Sequence, residues 1–243
     1  MFNKKMLIVL AVIVVGSLAL LAAALIWRPA APAPTVSTQQ AATDSSVTLA
    51  PAETAAPQPP PVISDNDHLQ GSLNAPVKII AYTDFTCSFC AQLNGALKQV
   101  RQTYGNQVVM AWRNFPLLNH PNGYVAADAF ECLASQGSLD KIIDGLFALQ
   151  DNSVDFDAAV LKLADRLGVD KSKFSSCYQN QQFADRITAD KQGAVAAGVI
   201  GAPHIFLNGQ SLAGAYQFED FTDASGQKYD GLKTLIDKEL NKQ

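Results

Sequence analysis

The spacing of apolar residues changes from a strand pattern to a helical pattern at a pair of cysteines, and this change constrains the possible fold more than any other feature of the sequence. The segment Tyr82 to Cys90, YTDFTCSFC, follows β-branched residues that suit a buried strand and lie at Val77, Ile79 and Ile80. After it, apolar residues recur at three- and four-residue steps, which predicts a helix; they are Leu93, Leu97, Val100 and Tyr104. The pattern predicts a strand that leads directly into a helix, with Cys87 in the first helical turn.

The position and spacing of the two cysteines predict a redox site. Unpaired N–H groups at a helix N-terminus stabilise an anion, here the Cys87 thiolate, and a thiolate is the form that attacks disulfides. Cys90 comes one turn later, close enough to attack a mixed disulfide on Cys87 and release the substrate. Half of a zinc site or an inert buried pair are the alternatives. Because the chain has no second C-x-x-C and no H-x-x-x-H motif, we expect no metal.

An N-terminal anchor and a linker precede the folded part in this interpretation. Residues 1–28 comprise a short cytoplasmic stub and an uncharged apolar run, Met6 to Trp27, long enough to span a bilayer. Lys4 and Lys5 precede the run, which places the N-terminus in the cytoplasm and the rest outside. A cleaved signal peptide is the alternative. Residues 29–63 are rich in Ala, Pro and Thr and predict a disordered tether.

Residues 64–243 form the predicted folded domain. The chain has a formal net charge of −4 and no basic stripe, which argues against a nucleic-acid partner, and no phosphate-binding loop or other sign of a cofactor. A second strand is expected at Val108 to Trp112, and Asn208-Gly209 predicts a hairpin near the end. Between them, periodicity predicts helices at Gly123 to Gln136, Ser138 to Leu149, after Asp155, after Asp170, and at Gln181 to Gly198, with a terminal helix at Tyr229 to Lys242.

This order of elements resembles the DsbA-like family of extracytoplasmic thiol-disulfide oxidoreductases. Three stretches carry the resemblance: Thr83 to Cys90; Arg113 to Leu117 with His120-Pro121 and Ala126-Ala127; and Gly198 to Gly209. The resemblance implies an α/β thioredoxin-like fold with an inserted helical subdomain at about residues 117–198.

The resemblance also implies the remaining site residues. Pro203 corresponds to a cis proline beside the cysteine pair, which leaves the backbone of Ala202 free to pair with an extended peptide. Ser88 and Phe89, between the cysteines, are expected to tune the redox potential. Cys132 and Cys177 fall in predicted helices and are expected to form a structural disulfide, as second pairs do in some relatives. A second redox pair that relays electrons is the alternative.

The chain departs from the family pattern at several positions. Ala81 stands where relatives usually carry a buried glutamate on the first strand. Asp84 is expected to be exposed or to cap the turn. His204 replaces a frequent threonine and is expected on a strand edge, with a position near the thiolate as the alternative. His68 and His120 are expected in loops.

Together these features predict a membrane-anchored thiol-disulfide oxidoreductase of the bacterial envelope that oxidises cysteine pairs in secreted proteins. The expected partners are extracytoplasmic protein thiols and disulfides and a membrane redox partner of DsbB or VKOR type. A disulfide reductase or isomerase, and a non-catalytic thioredoxin-fold chaperone or metal-binding module, are the alternatives.

Overall fold

In the computed structural model, which describes residues 59–150 and 155–242, a five-stranded mixed sheet has the order β1-β3-β2-β4-β5. β2 and β3 are parallel, and the other neighbouring pairs are antiparallel. β2 therefore has a partner on each side, and its C-terminal end leads into the cysteine segment. The strands are β1 (His68–Gln70), β2 (Val77–Thr83), β3 (Val108–Asn114), β4 (His204–Leu207) and β5 (Gln210–Ala213).

Seven α-helices occupy the described residues, and five of them lie between β3 and β4. The first and last are α1 (Ser88–Tyr104) and α7 (Leu232–Leu240). The inserted helices are α2 (Gly123–Ala134), α3 (Leu139–Phe147), α4 (Phe156–Leu167), α5 (Lys171–Gln179) and α6 (Ala184–Ala196). A short hairpin, β6 (Phe221–Thr222) with β7 (Lys228–Tyr229), precedes α7. The predicted thioredoxin-like α/β fold with a helical insertion is confirmed, and element boundaries shift by a few residues.

Caps fix where two of the inserted helices begin. The Asp155 carboxylate accepts a hydrogen bond from Ala158 N at 3.2 Å, and the Asp170 carboxylate accepts one from Lys173 N at 3.0 Å. Such caps satisfy donors that the helix itself leaves unpaired and contribute about 1 kcal/mol each. Gly168 ends α4 in the left-handed conformation, with a φ of 69°, which suits a residue without a Cβ atom.

Strand β2 is buried on both faces of the sheet. Its side chains alternate between the two faces and so pack into two separate hydrophobic cores. Val77, Ile79 and Ala81 face the larger core, which contains α1 and most of the insertion. Ile80 and Tyr82 face a smaller core under the C-terminal end of α6. Each fully buried aliphatic side chain contributes about 1.5–3 kcal/mol, so the sheet fixes the strand end that carries the cysteines.

A buried carboxylate fastens the insertion to the sheet. Glu131 in α2 is fully buried, and its side chain lies 2.7 Å from His68 Nε2 and 3.0 Å from Arg186 Nε. Asn114 Nδ2 donates to the same carboxylate at 2.6 Å. The prediction of a loop for His68 is wrong, because His68 begins β1 and pairs with Trp112 of β3.

A residue of the predicted linker contacts the sheet just before the predicted start of the domain at Ser64. The carbonyl oxygen of Val62, assigned to the linker from sequence, accepts a hydrogen bond from Arg113 Nη2 at 2.7 Å. The predicted anchor within residues 1–28 and most of the linker lie outside the described residues. Within the described part of the chain, every helix is too short or too polar to cross a bilayer.

Candidate active site

Cys87 is the residue that begins α1. It occupies the N-cap position with extended backbone angles, one residue before the predicted first turn. Its N–H donates to Asp84 O at 3.1 Å, and its carbonyl oxygen accepts from Ala91 N at 3.1 Å. A turn on one side and the first helical hydrogen bond on the other therefore hold Cys87 where β2 meets the helix.

The Cys87 sulfur lies in surroundings that favour the thiolate. A hydrogen bond from the Cys90 thiol lowers the pKa of Cys87 to about 6, and the backbone N–H groups of Cys90 and Phe89 act in the same direction. Burial and the charge of Asp84 oppose this shift. The net direction is the one a helix N-terminus produces, since its free N–H groups point at the sulfur.

Cys90 is the protonated member of the pair. Burial raises the pKa of its thiol, and the hydrogen bond that it donates to the Cys87 sulfur raises the pKa further. Neither sulfur takes part in a disulfide in this structure. The buried Thr83 Oγ1 has no hydrogen-bond partner among the described residues but lies close enough to stabilise a Cys90 thiolate when one forms. The environment thus separates an ionised sulfur from a protonated one.

The Ala202–Pro203 segment lies beside Cys87. The peptide bond between the two residues is cis, and the carbonyl oxygen of Ala202 is 3.9 Å from Cys87 Sγ. Pro203 is buried, whereas Ala202 is partly exposed. The Ala202 N–H has no backbone acceptor within the described residues. A partly exposed backbone with an unused donor therefore borders the reactive sulfur.

The two residues between the cysteines point away from the core. Ser88 is exposed, and 60% of Phe89 is accessible to solvent. Phe89 affects Cys87 through its backbone N–H rather than through its ring.

Asp84 carries a buried carboxylate directly before the site; of its two expected positions, the exposed one is wrong and the turn cap is confirmed. Only 1% of the residue is accessible. Its Oδ1 accepts from Thr86 N at 2.7 Å, and its Oδ2 accepts from Leu117 N at 2.8 Å and lies 3.1 Å from His120 Nδ1. Thr86 closes a turn around the carboxylate, as the alternative prediction of a turn cap required. His120 lies in a loop as predicted, but its contact with this carboxylate was missed.

Gln150 is a second residue that the sequence did not indicate. Its side-chain amide donates to Phe85 O at 2.9 Å and to Cys87 O at 2.8 Å. A glutamine after a predicted helix carries no local signal for such a contact, because its partners lie more than 60 residues away. The helical insertion thereby contacts the cysteine segment directly.

His204 and Ala81 lie in neighbouring interior strands of the sheet. His204 begins β4, an interior strand, so its prediction on a strand edge is wrong. The ring is buried, its Nε2 lies 2.8 Å from Ser211 Oγ, and burial lowers its pKa. Ala81 pairs with Trp112 and Ile205 in the middle of the sheet.

Cys132 and Cys177 form a disulfide that joins α2 to α5, with their Cα atoms 5.8 Å apart. The bond lies inside the helical insertion, and both residues are buried. In the described part of the chain, no group of three or more His, Cys, Asp and Glu side chains is arranged to hold a metal ion.

Comparison with known proteins places this architecture in a family. A family model described as Thioredoxin matches residues 64–225, about two thirds of the chain. The chain belongs to the thioredoxin family. The match covers the cysteine pair, the whole helical insertion and Pro203, so the family assignment includes every part of the candidate site.

Solved structures specify the form of the fold. Alpha-DsbA1 from Wolbachia pipientis superposes with a TM-score of 0.57 and 20% identity over 74% of this chain and 94% of its own. Oxidised BdbD from Bacillus subtilis superposes with a TM-score of 0.59 and 18% identity over 75% of this chain and 96% of its own. The resemblance to the DsbA-like family is confirmed at the level of the fold.

A curated relative is considerably longer than the region it shares with this chain. The Na(+)/H(+) antiporter NhaA 3 of Salinispora tropica is 35% identical over 165 residues, which cover 68% of this chain but 25% of the antiporter. This thioredoxin-family chain thus spans about a quarter of the length of the curated relatives it matches.

Proposed function

We propose that this chain is a membrane-anchored, extracytoplasmic thiol-disulfide oxidoreductase that oxidises cysteine pairs in secreted proteins through Cys87 and Cys90. The observation that carries the proposal is that the pKa values of the two thiols are shifted in opposite directions. The pKa of Cys87 is lowered to about 6, while the Cys90 thiol beside it stays protonated. Stabilising the Cys87 thiolate stabilises the reduced form of the pair, which makes the corresponding disulfide more oxidising.

The proposed reaction transfers a disulfide to the substrate in two exchanges. A substrate thiolate attacks Cys87 Sγ in the Cys87–Cys90 disulfide; a mixed disulfide forms and Cys90 leaves with the electron pair, taking up a proton. The second substrate thiolate then attacks the substrate sulfur of the mixed disulfide, and Cys87 leaves as a stable thiolate. The substrate loses two electrons and the chain gains them.

The surroundings of Cys87 favour an extended peptide as substrate. Ala202 offers its backbone beside the sulfur, in the manner of a strand that awaits a partner. Three exposed apolar side chains lie close in sequence to site residues: Phe89, Leu118 and Ile200, with 60%, 89% and 96% of their surface accessible. Contiguous exposed apolar side chains are typical of surfaces that bind other proteins, and we propose that these three form such a surface beside Cys87.

Membrane attachment and reoxidation are the remaining parts of the proposal. The apolar run from Met6 to Trp27 would act as the anchor, and the linker to residue 63 would keep the domain near the membrane. A membrane redox partner of DsbB or VKOR type would reoxidise Cys87 and Cys90. The region shared with the antiporter-named relatives is about a quarter of their length, so the proposal includes no ion transport.

Refolding of a reduced, unfolded disulfide protein by the oxidised full chain in detergent tests the proposal. We expect the wild-type chain to accelerate disulfide formation and Cys87→Ser to lose that activity. The double variant Cys132→Ala with Cys177→Ala is the control, because it removes sulfur outside the site and should retain exchange. Activity in Cys87→Ser equal to that of the wild type contradicts the proposal.

The reductase or isomerase alternative differs from the proposal in the direction of electron transfer between the chain and its substrate. The reduction potential of the Cys87 and Cys90 couple, measured against glutathione, separates the two. A potential near −120 mV, as for strong oxidants, supports oxidation, whereas one near −270 mV supports reduction. Cu(I) binding by the reduced chain with no thiol exchange would favour a metal-binding module instead.

A further inference from the structure

A cavity that opens on the surface of the helical insertion has no role in the proposed thiol chemistry. It lies between α2, α4, α5 and α6 and has a volume of about 620 Å³. Pockets of about 300–1,000 Å³ are typical of sites for small organic molecules. Its size is therefore sufficient for a specific ligand.

The cavity combines apolar walls with negative charge. Val125, Leu161 and Ile187 contribute aliphatic surface, and the rings of Tyr124 and Tyr178 contribute aromatic surface. Two carboxylates line the cavity, and the described lining residues include no lysine, arginine or histidine. The cavity therefore favours a cation with an apolar body over an anion.

Asp128 is the carboxylate without a partner. Only 6% of the residue is accessible, and its buried Oδ1 has no hydrogen-bond partner among the described residues. Burial and the charge of Glu131 raise the pKa of Asp128 to about 6. Glu131, one turn further along α2, is held by His68, Asn114 and Arg186, and Asp157 accepts a hydrogen bond from the Tyr178 hydroxyl at 2.5 Å. An unpaired buried carboxylate is costly unless something compensates for it.

We propose that this cavity binds a primary ammonium group carried on an apolar body, with Asp128 as its counter-ion. The ammonium would pair with Asp128, and the apolar body would contact Val125, Leu161 and Ile187. The Lys191 ammonium already lies over the Tyr124 ring, 5.2 Å from its centroid, and Phe174 stacks on Tyr178. The two tyrosine rings therefore contribute apolar surface, and the attraction for the ammonium comes from Asp128. A free amphipathic amine and a lysine side chain of a peptide share this chemistry.

The first experiment uses 2-phenylethylamine as the probe and follows backbone amide chemical shifts of the full chain in detergent. We expect saturable shifts at Tyr124, Val125 and Ile187, and binding at least about tenfold weaker for the neutral 2-phenylethanol. Asp128→Asn should lower the affinity for the amine to that of the alcohol. The matched control is Asp165→Asn, an exposed carboxylate that pairs with Lys171, and it should leave binding unchanged.

A second variant tests the proposal even if Asp128→Asn fails to fold. Leu161 is partly exposed at the cavity, so Leu161→Trp fills the space with little disturbance of the core and should abolish binding. Equal affinity of the wild type and Asp128→Asn, equal affinity for amine and alcohol, or shifts confined to residues outside the cavity would each overturn the proposal.

A blocked Leu-Lys-Leu peptide distinguishes the source of the ammonium group. Its control replaces lysine with norleucine, which keeps the chain and removes the charge. Binding of the lysine peptide but not of the norleucine peptide identifies a peptide ligand, and binding of 2-phenylethylamine alone identifies a free amine. The absence of binding by both charged probes contradicts the proposal. Thiol exchange through Cys87 is a separate readout, so failure here leaves the proposed function standing.

Discussion

The side-chain amide of Gln150 donates a hydrogen bond to the carbonyl oxygen of Cys87 at 2.8 Å and another to Phe85 O at 2.9 Å. Gln150 follows α3, so the contact links the helical insertion to the segment that presents the reactive sulfur. By donating to both carbonyl groups, Gln150 holds the backbone of residues 85–87 in place where it enters α1.

Replacing Gln150 with leucine should loosen this segment. Two carbonyl oxygens would lose a donor, which costs about 1–2 kcal/mol of unfolding free energy, and disulfide exchange through Cys87 should slow. Urea denaturation and the rate of mixed-disulfide formation measure the two effects. The matched control is Gln136→Leu, because Gln136 makes only a 3.5 Å contact, with Cys132 O. Equal loss in both variants would show that Gln150 has no special role.

Removing the charge of Asp84 should make Cys87 more acidic. Asp84 opposes the Cys87 thiolate, so Asp84→Asn is expected to lower the pKa of Cys87 below about 6. The same change alters the carboxylate oxygen that contacts the Leu117 N–H and His120 Nδ1. The free energy of unfolding should therefore decrease as well. Titration of the thiolate absorbance at 240 nm measures the pKa, with Asp165→Asn as the surface control. A pKa that rises in Asp84→Asn contradicts the assigned electrostatics.

The stability of the reduced form should depend on pH through Cys87. Its pKa is about 6 in the folded chain against an ordinary value of 9.0, so the folded state releases its proton first. The contribution of Cys87 to the free energy of unfolding is complete above pH 9, decreases as the pH falls, and is absent below about pH 6. Its slope is at most about 1.4 kcal/mol per pH unit. Denaturation of the reduced chain from pH 5.5 to 9 should show this rise, and Cys87→Ser should remove it.

The disulfide between Cys132 and Cys177 should stabilise the fold without taking part in exchange. Its sequence separation is 45 residues, which corresponds to a loss of about 4 kcal/mol on the chain-entropy model when the bond is removed. The double alanine variant should therefore unfold at lower denaturant concentration and retain thiol exchange. Loss of exchange in a folded double variant would instead support an electron relay between the two pairs.

Local sequence patterns predicted the elements whose signals are contained within a few residues. The change of period at Cys87, the aspartates that begin α4 and α5, and the Asn208-Gly209 hairpin each reflect local chemistry. Strand β1 was missed because its three residues show no alternation and form a strand only by pairing with β3.

The supporting residues of the site depend on contacts that no local pattern contains. The Leu117–His120 loop contacts the buried Asp84 carboxylate, and Gln150 reaches Cys87 across 63 residues of sequence. The cysteines themselves were predictable, because their spacing and their position at a helix start express their chemistry directly. Their electrostatic surroundings required the tertiary structure.

The points of attachment of the helical insertion have a mechanical consequence. The chain enters the insertion at Leu117, whose N–H binds Asp84 behind the cysteines, and returns through Ala202, whose oxygen faces Cys87. Both ends of the insertion therefore contact the segment that carries the cysteines. A tilt of the helical subdomain relative to the sheet would shift these contacts and thereby change the surroundings of the Cys87 sulfur.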